Sequence, residues 1–231
     1  MHPLTRSIAV SRIMKISINK AHYPVSVLGP GKRLGIWLQG CSIGCKGCVS
    51  QDTWKTDPGR DMTVASLLNW CRQTAEGNFD GVTISGGEPF DQPVALSALL
   101  DGLADWRTDS KLDFDILCYS GYPMATLLKK HARILRKLDA LIPEPYVDAK
   151  PLTQIWRGSS NQTMQTLSER GQTKYAQYLN MAADPGNKRI QTMLDGKQVW
   201  YVGIPARGDM VALEQTCKDR GIALTEVSWR S

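Results

Sequence analysis

A run of three cysteines constrains this chain more than any other feature. Cys41, Cys45 and Cys48 stand within the eight residues CSIGCKGC. Thiolates packed this closely bind soft metal centres, so the segment is expected to form a loop that brings the three sulfur atoms to one site. Three ligands are one fewer than the four that usually complete a [4Fe–4S] cluster or a structural zinc site. An iron that lacks a protein ligand can hold a substrate, and the motif therefore indicates chemistry at a metal centre.

Zinc binding and disulfide bonding are the alternative explanations for these cysteines. A structural zinc site usually has two Cys/Cys or Cys/His pairs. The remaining candidates in this chain are scattered singly: His2, His22, Cys71, Cys118, His131 and Cys217. A chain of 231 residues can bury a core without disulfide bonds. The spacing favours an iron–sulfur site and leaves zinc as the alternative.

The composition is that of an ordinary globular protein with one large domain or two small ones. Hydrophobic residues make up 42% of the chain and charged residues 22%. No apolar run approaches the ~20 residues that cross a membrane. Residues 1–13 are too weakly apolar for a signal peptide, and we expect a poorly ordered lead there. Six cysteines without an export signal predict a cytoplasmic protein, because the cytoplasm keeps thiols reduced.

The net charge of +6 is modest. It suits an acidic partner surface or a nucleotide-like ligand. No dense group of basic residues stands out, since Lys129, Lys130 and Arg133 fit an exposed helix face. We therefore do not expect nucleic-acid binding.

Strand-like and helix-like segments alternate along the first part of the chain. Short apolar runs predict strands at residues 15–18, 35–39, 81–84, 114–119 and 140–142. A first helix is expected after the N-cap Thr63, with one buried face made of Val64, Leu67, Leu68 and Cys71. A second is expected after the cap Asp91, with Pro93 in its first turn and a buried face made of Leu96, Leu99, Leu100 and Leu103. A third is expected through Leu127 and Leu128.

This β-α-β-α order predicts a parallel sheet with crossover helices. Sites in such sheets lie at the C-terminal ends of the strands. The cysteine loop follows the strand at 35–39, and the turn Ser85-Gly86-Gly87-Glu88-Pro89 follows the strand at 81–84. Both motifs are therefore expected on the same rim of the sheet.

The second half of the chain is less regular. Residues 163–190 are polar, and we expect them to be partly mobile. A compact final unit is expected to contain a strand at 198–202, a helix at 210–220 with Gly221 as its C-cap, and a strand at 222–227. The chain is accordingly divided into a core at 14–162 and a C-terminal segment at 163–231.

Together these motifs resemble those of the radical S-adenosylmethionine (SAM) superfamily. The spacing Cys41-x3-Cys45-x2-Cys48 matches its cluster motif, and Gly86-Gly87-Glu88 matches its GGE motif. Residues 14–162 also resemble the activating proteins of anaerobic ribonucleotide reductase. The segments that carry this closer resemblance are GPGKR at 29–33, WLQGC at 37–41, TW at 53–54, YSGY at 119–122 and WRGSSNQ at 156–162.

The resemblance implies a fold, a site and a reaction. The fold is α/β, an incomplete (β/α)6 barrel with a small βαβ-like C-terminal extension. Cys41, Cys45 and Cys48 act as the metal ligands and catalytic residues of a [4Fe–4S] cluster whose fourth iron binds SAM. The SAM-binding residues implied by the resemblance are Ser85, Gly86, Gly87, Glu88, Tyr119, Ser120 and Asn161. The enzyme would be an anaerobic oxidoreductase that cleaves SAM reductively to a 5′-deoxyadenosyl radical.

The resemblance also implies partners. The radical would take a hydrogen atom from a glycine of a glycyl-radical enzyme such as anaerobic ribonucleotide reductase, and a flavodoxin or ferredoxin would supply the electron. Two alternatives stay open. A radical SAM enzyme with these motifs could modify another peptide, an RNA or a small molecule, and a non-catalytic iron–sulfur or zinc protein could use the same cysteines as a scaffold.

Overall fold

A seven-stranded sheet forms the centre of the structure. The computed structural model describes residues 13–184, 189–195 and 198–229. The strands of this sheet are β1 (Lys15–Val25), β2 (Arg33–Leu38), β3 (Asp61–Thr63), β4 (Gly81–Gly86), β5 (Asp115–Tyr119), β6 (Ala140–Ile142) and β7 (Gln165–Thr166). Their spatial order is β3-β1-β2-β4-β5-β6-β7. A separate two-stranded sheet contains β8 (Ile190–Asp195) and β9 (Gln198–Gly203).

The α-helices follow the strands of the large sheet and the hairpin. They are α1 (Val64–Ala75), α2 (Pro93–Ser110), α3 (Met124–Leu135), α4 (Glu169–Tyr175) and α5 (Asp209–Asp219). Among the residues described, no helix is both long enough and apolar enough to cross a membrane. Residues 1–12 of the expected N-terminal lead, and residues 185–188 of the polar segment, lie outside the described residues.

Parallel pairing holds the middle of the large sheet together. β2 pairs in parallel with β4, β4 with β5, and β5 with β6. The outer pairs, β1–β2, β1–β3 and β6–β7, are antiparallel. The architecture is therefore mixed α/β, with four parallel strands at the centre of the sheet where the sequence predicted six β/α units. The polar segment after residue 162 contributes β7 and α4, and β7 lies at the edge of the sheet beside β6.

The first predicted helix is confirmed. The Thr63 side chain accepts a hydrogen bond from the Ser66 N–H at 3.0 Å, which satisfies one of the free amides at the start of α1. The predicted apolar face is buried, and Cys71 on that face is fully buried. Cys71 is thus a core residue rather than a ligand, as its helical spacing indicated.

The second helix differs from the prediction at its N-cap, and the third is confirmed, since α3 contains both Leu127 and Leu128. Pro93 is the first residue of α2, and the four predicted leucines are buried. Asp91, however, does not cap this helix; the N-cap is Gln92, and the Asp91 carboxylate is bonded to Ser42 instead. In α3, Leu127 is buried but Leu128 is 54% exposed, because consecutive positions on a helix face different directions.

The C-terminal unit has a different topology from the one predicted. The strand at 198–202 and the helix at 210–220 correspond to β9 and α5, and Gly221 follows α5 with a left-handed φ of 72°. β8 was not predicted, and it pairs antiparallel with β9. Residues 222–227 do not form the predicted strand. The unit is ββα rather than βαβ-like, because β8 pairs with β9 while hydrogen bonds to Gln51 hold the tail against the cysteine loop.

A buried ion pair joins the starts of the parallel strands. Arg33 at the start of β2 and Asp115 at the start of β5 are both fully buried, with 2.6 Å between Arg33 Nη2 and Asp115 Oδ1. A second bond joins Arg33 Nη1 to Asp115 Oδ2 at 3.1 Å. Arg33 Nε also donates to Thr83 Oγ1 on β4 at 2.6 Å, and the Tyr175 hydroxyl of α4 donates to Asp115. The pair therefore connects β2, β4, β5 and α4 in one hydrogen-bonded group.

Removing one partner of this pair should destabilise the fold. We expect Asp115→Ala to lower the free energy of unfolding by about 3–5 kcal/mol, because it leaves the Arg33 guanidinium buried without its counter-charge. Urea denaturation followed by circular dichroism measures the change. The control is Asp113→Ala, whose side chain is 74% exposed in its ion pair with Arg170, and whose loss should cost no more than about 1 kcal/mol. Equal losses for the two variants would contradict the role given to the buried pair.

Candidate active site

Backbone hydrogen bonds close the base of the cysteine loop. The loop begins after β2, where the Gly40 N–H donates to the Thr53 carbonyl at 2.7 Å and the Cys41 N–H to the Trp54 carbonyl at 3.0 Å. The Gln39 side chain donates to two further loop carbonyls, Asp52 O at 3.0 Å and Lys55 O at 2.6 Å. The two ends of the loop are thus held together just beyond the end of β2.

Asp91 holds the loop from the side. Its Oδ2 accepts a hydrogen bond from the Ser42 N–H at 2.7 Å, and its Oδ1 accepts one from the Ser42 hydroxyl at 3.0 Å. The Tyr122 hydroxyl also donates to Asp91 Oδ1, at 2.7 Å. Asp91 therefore connects the cysteine loop to the segments that follow β4 and β5. The sequence did not predict this contact, because a short polar side chain before a proline-started helix is typical of a cap.

The three thiols lie in partly buried positions with backbone amides directed at them. Burial raises the pKa of Cys41, Cys45 and Cys48 above the ordinary thiol value. Backbone N–H groups of Gly44 and Tyr146 oppose this increase at Cys41 and Cys45 respectively. The Ser50 N–H donates to Cys48 Sγ at 3.4 Å. A metal cation favours the thiolate form, so these amides are placed to stabilise sulfur ligands once metal is bound.

The GGE turn packs directly against the cysteine loop. A Cβ added at Gly87 would lie 2.1 Å from the Gly40 carbonyl oxygen, and one at Gly86 would lie 2.3 Å from the Leu38 backbone nitrogen. The Glu88 N–H donates to the Gly40 carbonyl at 2.8 Å. The resemblance implied that these glycines bind a ligand, and the structure shows that they also allow close approach of the cysteine loop. Any side chain at Gly87 would displace that loop.

Glu88 joins the ends of β4 and β5. Its side chain is buried, and Oε1 accepts hydrogen bonds from the Ser120 hydroxyl and the Phe90 N–H, each at 2.9 Å. Oε2 accepts one from the Gly121 N–H at 2.7 Å. Burial raises the pKa of Glu88 to about 7 despite these three hydrogen bonds. Glu88 thus has a positioning role that the motif alone did not reveal.

These segments surround one cavity of about 210 Å³. Residues that follow all four parallel strands contribute to its walls, as expected for a site at the C-terminal rim of a sheet. Of the residues implied by the resemblance, the lining includes Cys41, Cys45, Cys48, Ser85, Gly86, Gly87, Glu88, Tyr119 and Ser120. The structure therefore brings together the cysteine motif, the GGE turn and the end of β5.

Asn161 does not belong to this lining. Its Nδ2 donates to the Pro145 carbonyl at 2.8 Å, which holds the loop after β6. Its Oδ1 is buried and has no hydrogen-bond partner among the residues described. The neighbouring residues Gly158 and Gln162 do line the cavity.

Several other lining residues were not predicted from the sequence. Glu144 and Tyr146 follow β6, and the position of that strand was the available signal for them. Gly203 is the last residue of β9, and Ile204 and Pro205 follow it. No local pattern connects this distant segment to the cysteines, so only the tertiary structure places it at the site.

The donor set fits an iron–sulfur cluster. Three thiols share one cavity, and soft sulfur ligands are those that iron–sulfur clusters use. Among the residues described, no group of three or more His, Cys, Asp or Glu side chains is arranged to hold a single metal ion. In a cluster each cysteine binds a different iron, so the three thiols do not need to converge on one atom.

Comparison with known proteins connects this site to a family. Residues 27–165 match the family model of the 4Fe-4S single cluster domain. The anaerobic ribonucleoside-triphosphate reductase-activating protein of Vibrio cholerae is 32% identical over 152 residues, which cover 62% of this chain and 94% of that protein. The protein of the same name from Escherichia coli K12 is 30% identical over 151 residues, which cover 63% of this chain and 96% of that protein.

One solved structure, QueE from Escherichia coli, has a TM-score of 0.40 and 21% identity, and covers 50% of this chain and 56% of that one. This likeness is too distant to support an argument about fold or function.

Three cysteines beside a GGE turn, at the C-terminal rim of parallel strands, define an iron–sulfur enzyme of the α/β class. The family model covers more than half of the chain, and the chain covers nearly all of the two relatives. The chain belongs to the 4Fe-4S single cluster domain family and, within it, to the radical SAM activating proteins. Its cofactors are accordingly a [4Fe–4S] cluster and SAM, which decides between the iron–sulfur and zinc explanations of the cysteines.

Loss of one motif cysteine should prevent cluster assembly. We expect Cys45→Ala, reconstituted without oxygen, to hold far less iron than the wild type, which should bind about four irons per chain. Iron analysis and visible absorption measure the loss. Cys217→Ala is the control, because this thiol lies on α5 outside the cysteine loop, and it should keep its iron. Full iron in Cys45→Ala, or equal loss in Cys217→Ala, would contradict the ligand assignment.

Loss of Asp91 should weaken cluster retention without removing a ligand. We expect Asp91→Ala to release iron to a chelator about tenfold faster than the wild type, because the Ser42 segment loses the carboxylate that holds it. Asp101→Ala on α2 is the control, since Asp101 pairs with Lys137 instead. An unchanged rate of iron release for Asp91→Ala would show that the contact does not position the loop.

Proposed function

We propose that this chain cleaves SAM reductively to a 5′-deoxyadenosyl radical and uses it to activate a glycyl-radical partner, anaerobic ribonucleotide reductase. The observation that carries the proposal is the single cavity in which the three motif cysteines and the GGE turn meet. We infer the acceptor from the names of the two relatives, which are activating proteins of anaerobic ribonucleoside-triphosphate reductase. This chain covers 94% and 96% of those relatives, so nearly all of each relative has a counterpart here.

In this proposal the cysteines hold the cluster and the strand ends hold SAM. Cys41, Cys45 and Cys48 bind three irons. When bound, the reduced cluster supplies one electron that breaks the S–C5′ bond of SAM and leaves methionine as the other product. The GGE turn, with Ser85, presents backbone and side-chain acceptors to the amino group of SAM.

Glu88 and Ser120 fix the loops that line the SAM site. Both side chains are buried and bonded to each other, so they orient the loops after β4 and β5 before any ligand arrives. This arrangement limits the reorganisation that binding requires. Asn161 in turn keeps the loop after β6 in place through the Pro145 carbonyl.

In this proposal Tyr119 binds the ribose. Its hydroxyl is buried without a hydrogen-bond partner among the residues described, and the residue lines the cavity. Burial raises the pKa of Tyr119, so the hydroxyl remains a proton donor at neutral pH. A buried donor without a partner gains most from a ligand that accepts its hydrogen bond.

The proposal includes the finer features implied by the family. The central sheet serves as the incomplete barrel, residues 14–162 form the catalytic core, and residues 163–231 form an added segment. A flavodoxin or ferredoxin delivers the electron in a reducing cytoplasm. The alternative that shares the chemistry is a radical SAM enzyme that acts on a different peptide, RNA or small molecule.

Product analysis should separate these functions. We expect the reconstituted and reduced wild type to form 5′-deoxyadenosine from SAM, and to generate a glycyl radical, detected by electron paramagnetic resonance, on the anaerobic ribonucleotide reductase from the same genome. Cys41→Ala should form neither. SAM cleavage without a radical on the reductase would refute the reductase as acceptor and favour the alternative, a different peptide, RNA or small molecule. No SAM cleavage by a wild type that holds a reduced cluster would refute the catalytic proposal.

A further inference from the structure

The C-terminal unit is packed onto the sheet beside the active site. Val202 of β9 is buried in one hydrophobic cluster with Val25, Leu28 and Trp37. The Gln191 side chain of β8 accepts a hydrogen bond from the Ser26 N–H at 3.0 Å and donates one to the Pro24 carbonyl at 2.7 Å. These apolar and polar contacts attach the hairpin to β1, β2 and the turn between them. All of this unit lies beyond residue 165, where the family match ends.

The tail after α5 is bonded to the segment that follows the third cysteine. The Gln51 N–H donates to the Ser228 carbonyl at 2.8 Å, and the Gln51 side chain donates to the Trp229 carbonyl at 3.2 Å. The Ser228 hydroxyl donates to the Val49 carbonyl at 2.8 Å. The end of the chain is therefore held within a few residues of Cys48.

A second cavity, of about 530 Å³, lies between the tail and the hairpin. It is larger than the cysteine cavity, and the two share five lining residues: Trp37, Val49, Ser50, Gly203 and Pro205. Because the same side chains border both spaces, the second cavity adjoins the active site. We call this second cavity the C-terminal groove.

One wall of the C-terminal groove is a segment that belongs to no helix or strand. Residues 223–227 all line the groove, and they belong to no strand. Within the described part of the chain, the backbone of these five residues makes no hydrogen bond to another backbone segment. A sequence with strand-forming residues and unpaired backbone donors and acceptors is suited to pair with an added strand.

The chemistry of the remaining lining favours a polypeptide. Trp200, Tyr201 and Trp229 contribute aromatic surface, which is typical of protein-binding sites. Lys20 is the one basic residue in the described lining, and it forms a salt bridge with Asp52 at 3.6 Å. Glu226 adds a negative charge. A phosphate-rich nucleic acid needs a cluster of cations that this lining does not offer.

We propose that the C-terminal groove binds an extended peptide segment of the acceptor protein, paired with the backbone of residues 223–227, and leads it towards the cysteine cavity. The proposal rests on the proposed function, because it describes how that acceptor reaches the site. The added C-terminal unit thus recognises the acceptor, while the core residues carry the SAM chemistry.

Proline substitution in the tail tests the pairing. In the proposed pairing residues 223–227 form a strand, and alternate N–H groups of a strand point to opposite sides. One of the adjacent residues Thr225 and Glu226 therefore faces the peptide. We expect Thr225→Pro or Glu226→Pro to raise the reductase concentration needed for half-maximal glycyl-radical formation about tenfold, which corresponds to about 1.4 kcal/mol. Thr225→Ala and Glu226→Ala keep the backbone donor and should shift this concentration less than the matched proline variants. Wild-type behaviour in both proline variants would overturn the proposal.

The same assay separates the failure of this inference from the failure of the proposed function. If the wild type cleaves SAM but transfers no radical to the reductase at any concentration, the acceptor assignment fails. If the wild type activates the reductase and both proline variants do so equally well, only the groove assignment fails. Iron content and circular dichroism show whether a proline variant has lost its fold.

A photo-crosslinking experiment keeps the proposal testable even if the proline variants do not fold. Val199 lines the C-terminal groove and is 40% exposed. We expect a benzoylphenylalanine placed at Val199 to crosslink to the glycine-bearing segment of the reductase, identified by mass spectrometry. The control carries the same group at Leu128 on α3, which is 54% exposed and outside the groove. No crosslink at Val199, or an equal yield at Leu128, would overturn the proposal.

Discussion

The buried Arg33–Asp115 pair is the interaction on which the arrangement of the site depends. Arg33, Gly81 and Asp115 lie in one row across β2, β4 and β5, so the three strands start level with one another. Gly81 permits this, because a Cβ there would lie 2.3 Å from Arg33 Nη1. Parallel strands that start level also reach the opposite rim together. The cysteine loop, the GGE turn and the end of β5 therefore emerge side by side.

At the opposite rim, polar contacts between loops replace strand pairing. Glu88 joins the loops after β4 and β5, Asp91 holds Ser42 of the cysteine loop, and Gly87 lets the GGE turn approach Gly40. Each contact links segments that are distant in sequence. The site is thus largely organised before cluster or SAM arrives, which is a general requirement for positioning a reactive group.

The C-terminal unit adds a layer that the family core does not need for its chemistry. It supplies Gly203, Ile204 and Pro205 to the cysteine cavity and forms the neighbouring groove with the tail. An added unit in this position changes the route to the cluster without changing the cluster ligands. In the proposals made above, acceptor recognition and radical chemistry therefore belong to different parts of the chain.

Local patterns predicted much of the fold and the main motifs of the site. The Thr63 cap, the apolar face of α1 and the strand at 140–142 followed from propensity and periodicity, and the alternation of elements placed both motifs on one rim. The same reasoning was wrong for Asp91 as a helix cap and for a strand at 222–227. A carboxylate can satisfy a helix amide or a distant loop equally well, and only packing selects Ser42 as its partner.

The sequence by itself determined the enzyme class and its cofactors, because the cysteine spacing and the GGE turn are local patterns that depend on residue type. The tertiary structure decided which distant segments complete the site. It bonds Glu88 to the Gly121 N–H after β5, bonds Asn161 to the Pro145 carbonyl outside the cavity lining, and bonds the tail to Gln51. Strand partners and long-range hydrogen bonds are chosen by competition among all segments during folding, and a local sequence pattern does not encode the outcome of that competition.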